Sequence, residues 1–152
     1  MKLSPHFSLY EMYKSREADR LGIDNEPKDK TIINNLERLC ENVLEPTRTY
    51  YGISFSPSSG YRCLELNQAL KSKDTSQHIL GEAVDFELPS VDNYELALWL
   101  KNNIYYDQLI LEFYDKDKGG DSGWVHVSLK ENVNRGTILT INKLGTHIGL
   151  IK

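Results

Sequence analysis

Three short runs in this chain alternate bulky apolar residues with smaller or polar ones, which is the period of a β-strand. The runs are AVDFEL, QLILEF and WVHVSL, and they begin at Ala83, Gln108 and Trp124. Because successive side chains of a strand point to opposite faces of a sheet, the bulky residues of each run predict a packed face. The other face is left for polar groups. A sheet with one buried face and one face that carries chemistry is the strongest constraint on the fold.

Groups that bind metals fall on the polar face of these runs. Asp85 and His126 lie there, and His78 precedes Asp85 by seven residues in the segment SQHILGEAVD. Imidazole and carboxylate groups are good zinc ligands, and three protein ligands leave one coordination position for water, as in catalytic zinc sites. The sequence therefore predicts a Zn²⁺ site made by His78, Asp85 and His126.

Helical patterns account for much of the remaining chain. The longest apolar stripe extends over residues 29–45, and we expect its helix to end before Pro46, because a proline disfavours helical geometry in the residue before it. Capping boxes that begin at Ser8 and Asp92 predict two further helix starts. The charged, glycine-rich residues 114–123 predict a hairpin loop, and the tail GTILTINKLGTHIGLI predicts one or two closing strands.

Length and composition limit the architecture and the partners. A chain of 152 residues with 39% apolar residues is long enough for one real core, so residues 1–152 predict a single α+β domain with helices packed around an antiparallel sheet. The net charge of −4 and the absence of clustered Lys and Arg argue against a nucleic-acid partner.

Cysteine usage and hydropathy indicate where such a chain is made. Cys40 and Cys63 are too few for a disulfide framework, so we expect a reduced pair, with a single bridge as the alternative. The N-terminus has no long apolar run, so we expect neither a cleavable signal peptide nor a membrane span, and synthesis in the cytoplasm.

Taken together, these motifs resemble the zinc D-Ala-D-Ala peptidases of peptidase family M15, subfamily A type, which include bacteriophage members. The combination of SxHxxGxAxD with a downstream WxH is specific, and the likeness covers nearly the whole chain. The segments that carry it are LSPHFSLYEM, GIDNEP, ENVLEPTR, SGYRC, the following Asn67, SQHILGEAVD and WVHVS.

The resemblance implies a hedgehog/D-Ala-D-Ala peptidase-like fold and zinc bound by His78, Asp85 and His126. It implies that Arg62 of SGYRC acts on the substrate, a peptide of bacterial peptidoglycan, with action on the cell wall after release or as part of a phage particle. A guanidinium can hold a carboxylate or a developing oxyanion bidentately, which suits that role. Ser76 is expected either to bind substrate or to cap its turn, and Gln108 is a candidate substrate contact.

One departure from the family pattern concerns the general base. Many relatives have an acidic residue three positions before the last zinc histidine, where this chain has Gly123. The acidic residues near His126 in sequence are Asp107, Glu112 and Asp121. Glu112 is the predicted base. If the second and third runs pair as a hairpin, any register in which the numbers of two paired residues have an even sum puts Glu112 on the face of His126. The alternative is that Glu112 only orients a zinc histidine.

Two other functions remain open at this point. Gly123 favours a non-catalytic module of a virion or cell envelope that keeps the metal for stability or wall binding. A zinc hydrolase with a substrate outside the cell wall is the other alternative, because a fold alone does not define a substrate. The sequence does not decide whether the cut is at a terminal D-alanine, as in a D-Ala-D-Ala carboxypeptidase, or inside a stem peptide or crossbridge. It leaves the oligomeric state open as well.

Overall fold

The structure is a computed structural model that describes residues 1–152. The strands are β1 (Lys2–Ser4), β2 (Phe7–Ser8), β3 (Ala83–Phe86), β4 (Gln108–Glu112), β5 (Trp124–Ser128), β6 (Thr137–Asn142) and β7 (Gly145–Ile148). The helices are α1 (Leu9–Tyr13), α2 (Arg16–Leu21), α3 (Lys30–Leu39), α4 (Glu45–Tyr51), α5 (Leu64–Ala69) and α6 (Asn93–Asn103). A π turn covers Cys40–Leu44 and a 3₁₀ turn covers Gln77–Leu80.

The predicted α+β fold is confirmed. The three alternating runs form β3, β4 and β5, and the tail supplies two strands, β6 and β7. They make a five-stranded sheet in the order β3-β5-β4-β6-β7, while β1 and β2 form a separate pair. The neighbours pair antiparallel except for β4 and β6, which are parallel. This exception follows from the path of the chain. The end of β5 lies beside the start of β4, and residues 129–136 pass that start to reach its other side. The chain therefore enters β6 in the same direction as β4.

The core lies between the bulky face of the sheet and the helices. Fully buried side chains on β3, β4 and β5 meet those of α1, α3, the π turn and α6 in one apolar cluster. This is the face that the alternation predicts to be packed. Its central members include Val84, Phe86, Leu109, Leu111, Val125, Val127, Leu36, Leu39, Leu96 and Leu100.

The predicted helix end before Pro46 is wrong. The helical path continues from α3 through the π turn into α4, which contains Pro46 in its first turn. In the π turn the Glu45 N–H donates to the Cys40 carbonyl, five residues back, so the backbone is locally wider than an α-helix. The buried Thr47 hydroxyl donates to the Val43 carbonyl at 2.7 Å. The wide turn accommodates the ring and the missing N–H of proline, which would break a regular helix interior.

The remaining sequence predictions about the framework have clear outcomes. Cys40 is buried, Cys63 is half-buried, and both are free thiols. Ser8 and Asp92 cap α1 and α6, as predicted. No helix combines the length and the apolar character that a membrane crossing requires.

An ion pair between the buried Asp107 and the half-exposed Arg135 holds the connection between β5 and β6. The side chain of Asp107, just before β4, is fully buried and accepts hydrogen bonds from the backbone N–H of Arg135 at 2.8 Å and from its guanidinium at 2.6 Å. Gln77, beside the candidate ligand His78, donates to the same carboxylate at 3.1 Å. Burial opposes ionisation of Asp107, but the hydrogen bonds and charge of Arg135 outweigh it and lower the pKa of the carboxyl.

Replacing Asp107 with Asn should therefore lower the free energy of unfolding. We expect a loss of about 2 kcal/mol at pH 7, the lower range for charged hydrogen bonds, because Arg135 is half-exposed. Because the folded-state pKa of Asp107 is lowered, its contribution is complete above the unfolded pKa of about 3.9 and is lost as the pH falls through the folded value. Urea unfolding should show a lower free energy of unfolding for Asp107→Asn than for the wild-type protein at pH 7. This difference should be smaller below pH 4. The exposed Asp117, replaced with Asn, is the control that should change little.

Candidate metal centre

His78 is held by the short turn that carries it. The Ser76 hydroxyl caps this turn by accepting the His78 backbone N–H at 3.2 Å. Gly81 ends the turn at φ +71°, where a Cβ would lie 2.9 Å from the backbone oxygen of Ile32 in α3. The His78 ring is buried, and its Nδ1 donates to the Gly60 carbonyl at 2.6 Å. This bond fixes the tautomer and leaves Nε2, 3.4 Å from Asp85 Oδ2, free for a metal.

Asp85 and His126 are brought together by strand pairing. They are direct partners in the antiparallel register of β3 and β5, and His126 Nδ1 lies 2.8 Å from Asp85 Oδ1. One ligand atom from each of His78, Asp85 and His126 lies within 4.8 Å of the others. The structure therefore places the three predicted ligands in one cluster on the polar face of the sheet.

The cluster offers the types of ligand that bind zinc. A tetrahedral ion with N and O ligands at about 2.0–2.2 Å holds the ligand atoms roughly 3.3–3.6 Å apart. His78 Nε2 lies 3.4 Å from Asp85 Oδ2, which is within that range, whereas His126 Nδ1 lies 2.8 Å from Asp85 Oδ1, which is a hydrogen-bond distance. Burial opposes ionisation of Asp85, but His78 and His126 outweigh it and lower the pKa of the carboxyl. Burial also lowers the pKa of His78. An ionised carboxylate and a neutral imidazole are the forms that bind a metal.

Arg62 lies against this cluster. Its Nη2 is 3.7 Å from Asp85 Oδ2, and its side chain is 14% exposed. Nε donates to Ser59 Oγ at 3.2 Å, and Nη1 donates to Asn67 Oδ1 at 3.2 Å and to Ser72 Oγ at 3.3 Å. These bonds fix the guanidinium beside the candidate metal ligands.

The backbone that carries Arg62 is joined to the sheet and to the histidine turn. Residues 58–59 lie beside the edge of β3, where the Asp85 N–H donates to the Ser59 carbonyl at 2.7 Å. The Arg62 N–H donates to the His78 carbonyl at 3.1 Å. From the other side, the buried Asn25 accepts the Cys63 N–H at 2.7 Å and donates to the Tyr61 carbonyl at 3.0 Å. The position of Arg62 is therefore set by segments far apart in sequence.

Glu112 faces the cluster from β4. The register pairs Ile110 with His126 and Glu112 with Trp124, so Glu112 is on the face of His126 and diagonal to it. The sum of the paired numbers is even, which is the condition under which the sequence predicts a shared face. The Glu112 carboxylate makes no hydrogen bond or ion pair within the protein, and burial, followed by the charge of Asp85, raises its pKa. It is an unpartnered acidic group beside the candidate metal ligands.

Gly123, at the position where many relatives carry the base, is required by the backbone. Its φ is +67°, and a Cβ there would lie 2.0 Å from the Glu112 carbonyl oxygen and 2.5 Å from the Phe113 carbonyl carbon. No acidic side chain fits in this backbone. Of the other two candidates, Asp121 lies exposed in the loop before β5, and Asp107 is bound to Arg135 on the opposite parity of its strand.

The two other residues that the sequence singles out lie at the margins of the cluster. The Ser76 hydroxyl is bound to the turn, as described above. Gln108 is half-buried at the start of β4, on the same sheet face as Glu112, and its backbone N–H donates to Ser128 Oγ. Sequence reasoning missed the supporting roles of Gly60 and Asn25, because they act through long-range backbone contacts that no local pattern signals.

Fold and site together define an α+β protein with a buried His-Asp-His cluster on the open face of its sheet. A family model described as Peptidase M15 matches residues 5–128. The chain therefore belongs to peptidase family M15, whose members are metallopeptidases, typically with zinc, and the resemblance read from the sequence is confirmed. A search of curated proteins finds no match to the chain.

The close approach at Gly123 generates a stability prediction. Gly123→Ala should lower the free energy of unfolding by about 2 kcal/mol or more, because an alanine at positive φ is strained and its Cβ also meets the Glu112 carbonyl. Gly136→Ala is a matched control, since Gly136 has the same φ of +67° with no atom within 4 Å of the added Cβ. In thermal unfolding, Gly123→Ala should lower the stability more than Gly136→Ala does. Equal losses would mean that the contact with Glu112 does not constrain this position.

Proposed function

We propose that this protein is a zinc peptidase that hydrolyses peptide bonds of bacterial peptidoglycan. The observation that carries the proposal is the buried cluster of His78, Asp85 and His126, with Arg62 and Glu112 on either side of it. Membership of peptidase family M15 supports the class of reaction. The motifs SGYRC and SQHILGEAVD support the wall substrate and its D-Ala-D-Ala or stem-peptide chemistry, on the cell wall after release or as part of a phage particle.

The three ligands would hold the ion, and two further side chains would handle the proton and the developing charge. Zinc in such a site polarises a carbonyl and lowers the pKa of bound water to about 7. Glu112 would accept the proton of the attacking water and deliver it to the departing amine, which requires an unpaired carboxylate within reach of the site. The pKa of Glu112 is raised, so it lies closer to neutral pH than the pKa of an ordinary glutamate.

Arg62 would bind negative charge on the substrate. Its guanidinium is buried beside Asp85 and kept in place by Ser59, Asn67 and Ser72, so little reorganisation is needed when charge develops. It can stabilise the oxyanion of the tetrahedral intermediate or hold a terminal carboxylate of the peptide. Ser76 and Gln108, at the margins of the cluster, are the further substrate contacts that we propose.

A non-catalytic metal-binding module is the alternative that Gly123 favours. The main argument for this alternative is that Gly123 takes the place of an acidic residue three positions before His126. Glu112 supplies a free carboxylate on the same face of the sheet, which supports turnover instead. The two functions differ in whether purified peptidoglycan is cut.

Digestion of purified peptidoglycan tests the proposed function directly. Zinc-loaded protein should release peptide fragments whose new termini, identified by mass spectrometry, show which bond is cut. His126→Ala should lose both zinc and hydrolysis, because a three-ligand site has no spare protein ligand. The half-buried His147, which lies outside the cluster, is replaced with Ala as the histidine control. Undigested peptidoglycan with fully zinc-loaded wild-type protein would favour the non-catalytic alternative.

Replacing Glu112 with Gln distinguishes two roles for this residue, that of the general base and that of a group that only supports the metal site. The amide keeps the size of the side chain but cannot accept the proton, so turnover should fall by about 10²- to 10⁴-fold while zinc content stays unchanged. Steady-state kinetics together with metal analysis measure both quantities. A variant that retains zinc and near-normal turnover would remove Glu112 from the mechanism and make Asp121 the next residue to test.

A further inference from the structure

Phe113, which follows Glu112, has a backbone conformation that bulky side chains rarely adopt. Its φ is +55°, and the other non-glycine residues with positive φ are Lys71 and Ser90, both in exposed turns. The surrounding structure imposes this conformation, since the Phe113 N–H donates to the Ile141 carbonyl at 2.7 Å. Strained residues of this kind concentrate at functional sites, so the outlier indicates a role for the ring.

The strained backbone turns the ring of Phe113 away from the core. Alternation along QLILEF predicts that Phe113 packs with Leu109 and Leu111, which are fully buried, but Phe113 is 48% exposed and that prediction is wrong. Its ring contacts Trp124 instead, with the ring centroids 5.5 Å apart, and neither ring belongs to the apolar core. Trp124 is the strand partner of Glu112. Phe113 and Trp124 therefore form an aromatic shelf, as we name it, beside the proposed base.

A cavity opens next to this shelf, between the loop that follows β4 and the turn that joins β6 to β7. Its volume of about 370 Å³ falls in the range of small-molecule sites, roughly 300–1,000 Å³. Phe113 forms part of its wall. The charged side chains around it are Lys116, Lys118, Lys143, Lys152, Asp115 and Asp117. Ammonium groups donate to oxygen atoms and carboxylates accept hydroxyl protons, so this lining suits an oxygen-rich ligand with hydroxyl groups.

We propose that the aromatic shelf and the adjoining cavity bind a sugar ring of the glycan strand to which the substrate peptide is attached. This inference rests on the proposed function and adds a carbohydrate subsite to it. A sugar ring has apolar C–H faces, which pack on aromatic rings, and a rim of hydroxyl groups, which need donors and acceptors. The shelf supplies the first and the cavity supplies the second. A sugar held beside Glu112 also keeps a covalently attached peptide at a high local concentration near the His-Asp-His cluster.

A kinetic test compares one peptide with and without its sugar. The substrates are a disaccharide-linked pentapeptide of peptidoglycan and the same pentapeptide released from the disaccharide. We expect zinc-loaded wild-type protein to have a KM about fivefold lower for the linked form, the order expected for one stacked ring. Phe113→Gly should abolish this difference. Tyr50→Ala is the control that should keep it, because it removes an exposed ring that stacks on Trp99 in the helical layer.

Thermal unfolding of the same variants separates sugar binding from a packing role of the ring. Glycine adopts positive φ without strain, so Phe113→Gly should unfold at the same temperature as the wild-type protein or at a higher one. Phe113→Asn, which also tolerates this conformation, is the second variant. A lower unfolding temperature with an unchanged KM difference would show that the ring only packs on Trp124, and it would overturn the proposal.

Fluorescence of Trp124 measures sugar binding without turnover. The chain has two tryptophans, so Trp99→Phe leaves Trp124 as the only one. Titration with a tetramer of N-acetylglucosamine should change its emission, and adding Phe113→Gly should remove the response. This result would support the subsite even if peptidoglycan is not cut.

Two outcomes would overturn the carbohydrate subsite. Hydrolysis of both peptides with equal KM, or no fluorescence response to the sugar, would remove it and leave the proposed function intact. An equal response to inorganic polyphosphate that disappears at high salt would also overturn it, because the lysines would then form a general anion site.

Discussion

Asp85 lies directly opposite His126 in the antiparallel pairing of β3 and β5, and the His-Asp-His cluster depends on that register. A slip of one residue would turn one of the two side chains into the core and leave a buried charge without its partner. The bulky face prevents the slip, because Val84 and Phe86 would then leave the apolar cluster that they fill. Packing on one side of the sheet thus fixes the chemistry on the other side.

Alternation along three strands was enough to predict the sheet, its packed face and the open face that Asp85 and His126 share, and the spacing of His78 to Asp85 added the third candidate ligand. It also located Glu112, because a face assignment needs only the parity of the register. Residues that act through long-range backbone contacts could not be predicted in this way. Gly60 accepts a bond from His78, and Asn25 anchors the residues around Arg62, yet neither belongs to a local pattern. The predicted helix end before Pro46 was wrong for a related reason, because the π turn accommodates the proline that would destabilise a regular helix.

The turn between β4 and β5 and the position of the acidic group are linked. Gly123 and Phe113 both have positive φ, and the Glu112 carbonyl lies where a side chain at position 123 would begin. This close approach excludes an acidic residue from the loop side, and the carboxylate that faces the cluster comes from the neighbouring strand instead. A strand is also a more rigid support than the charged, glycine-rich loop of residues 114–123.

The contact between Arg62 and Asp85 has a consequence for inhibition. Three ligands that carry a single negative charge cannot neutralise a dication, and a guanidinium 3.7 Å from the only anionic ligand adds to the excess of positive charge. Under the proposed function, Glu112 is the only nearby group that offsets it. Under the same proposal, each peptide bond that is cut would produce a new carboxylate beside this excess of positive charge. The acidic product, and small carboxylates in the medium, would then compete with the substrate for Arg62 and the metal.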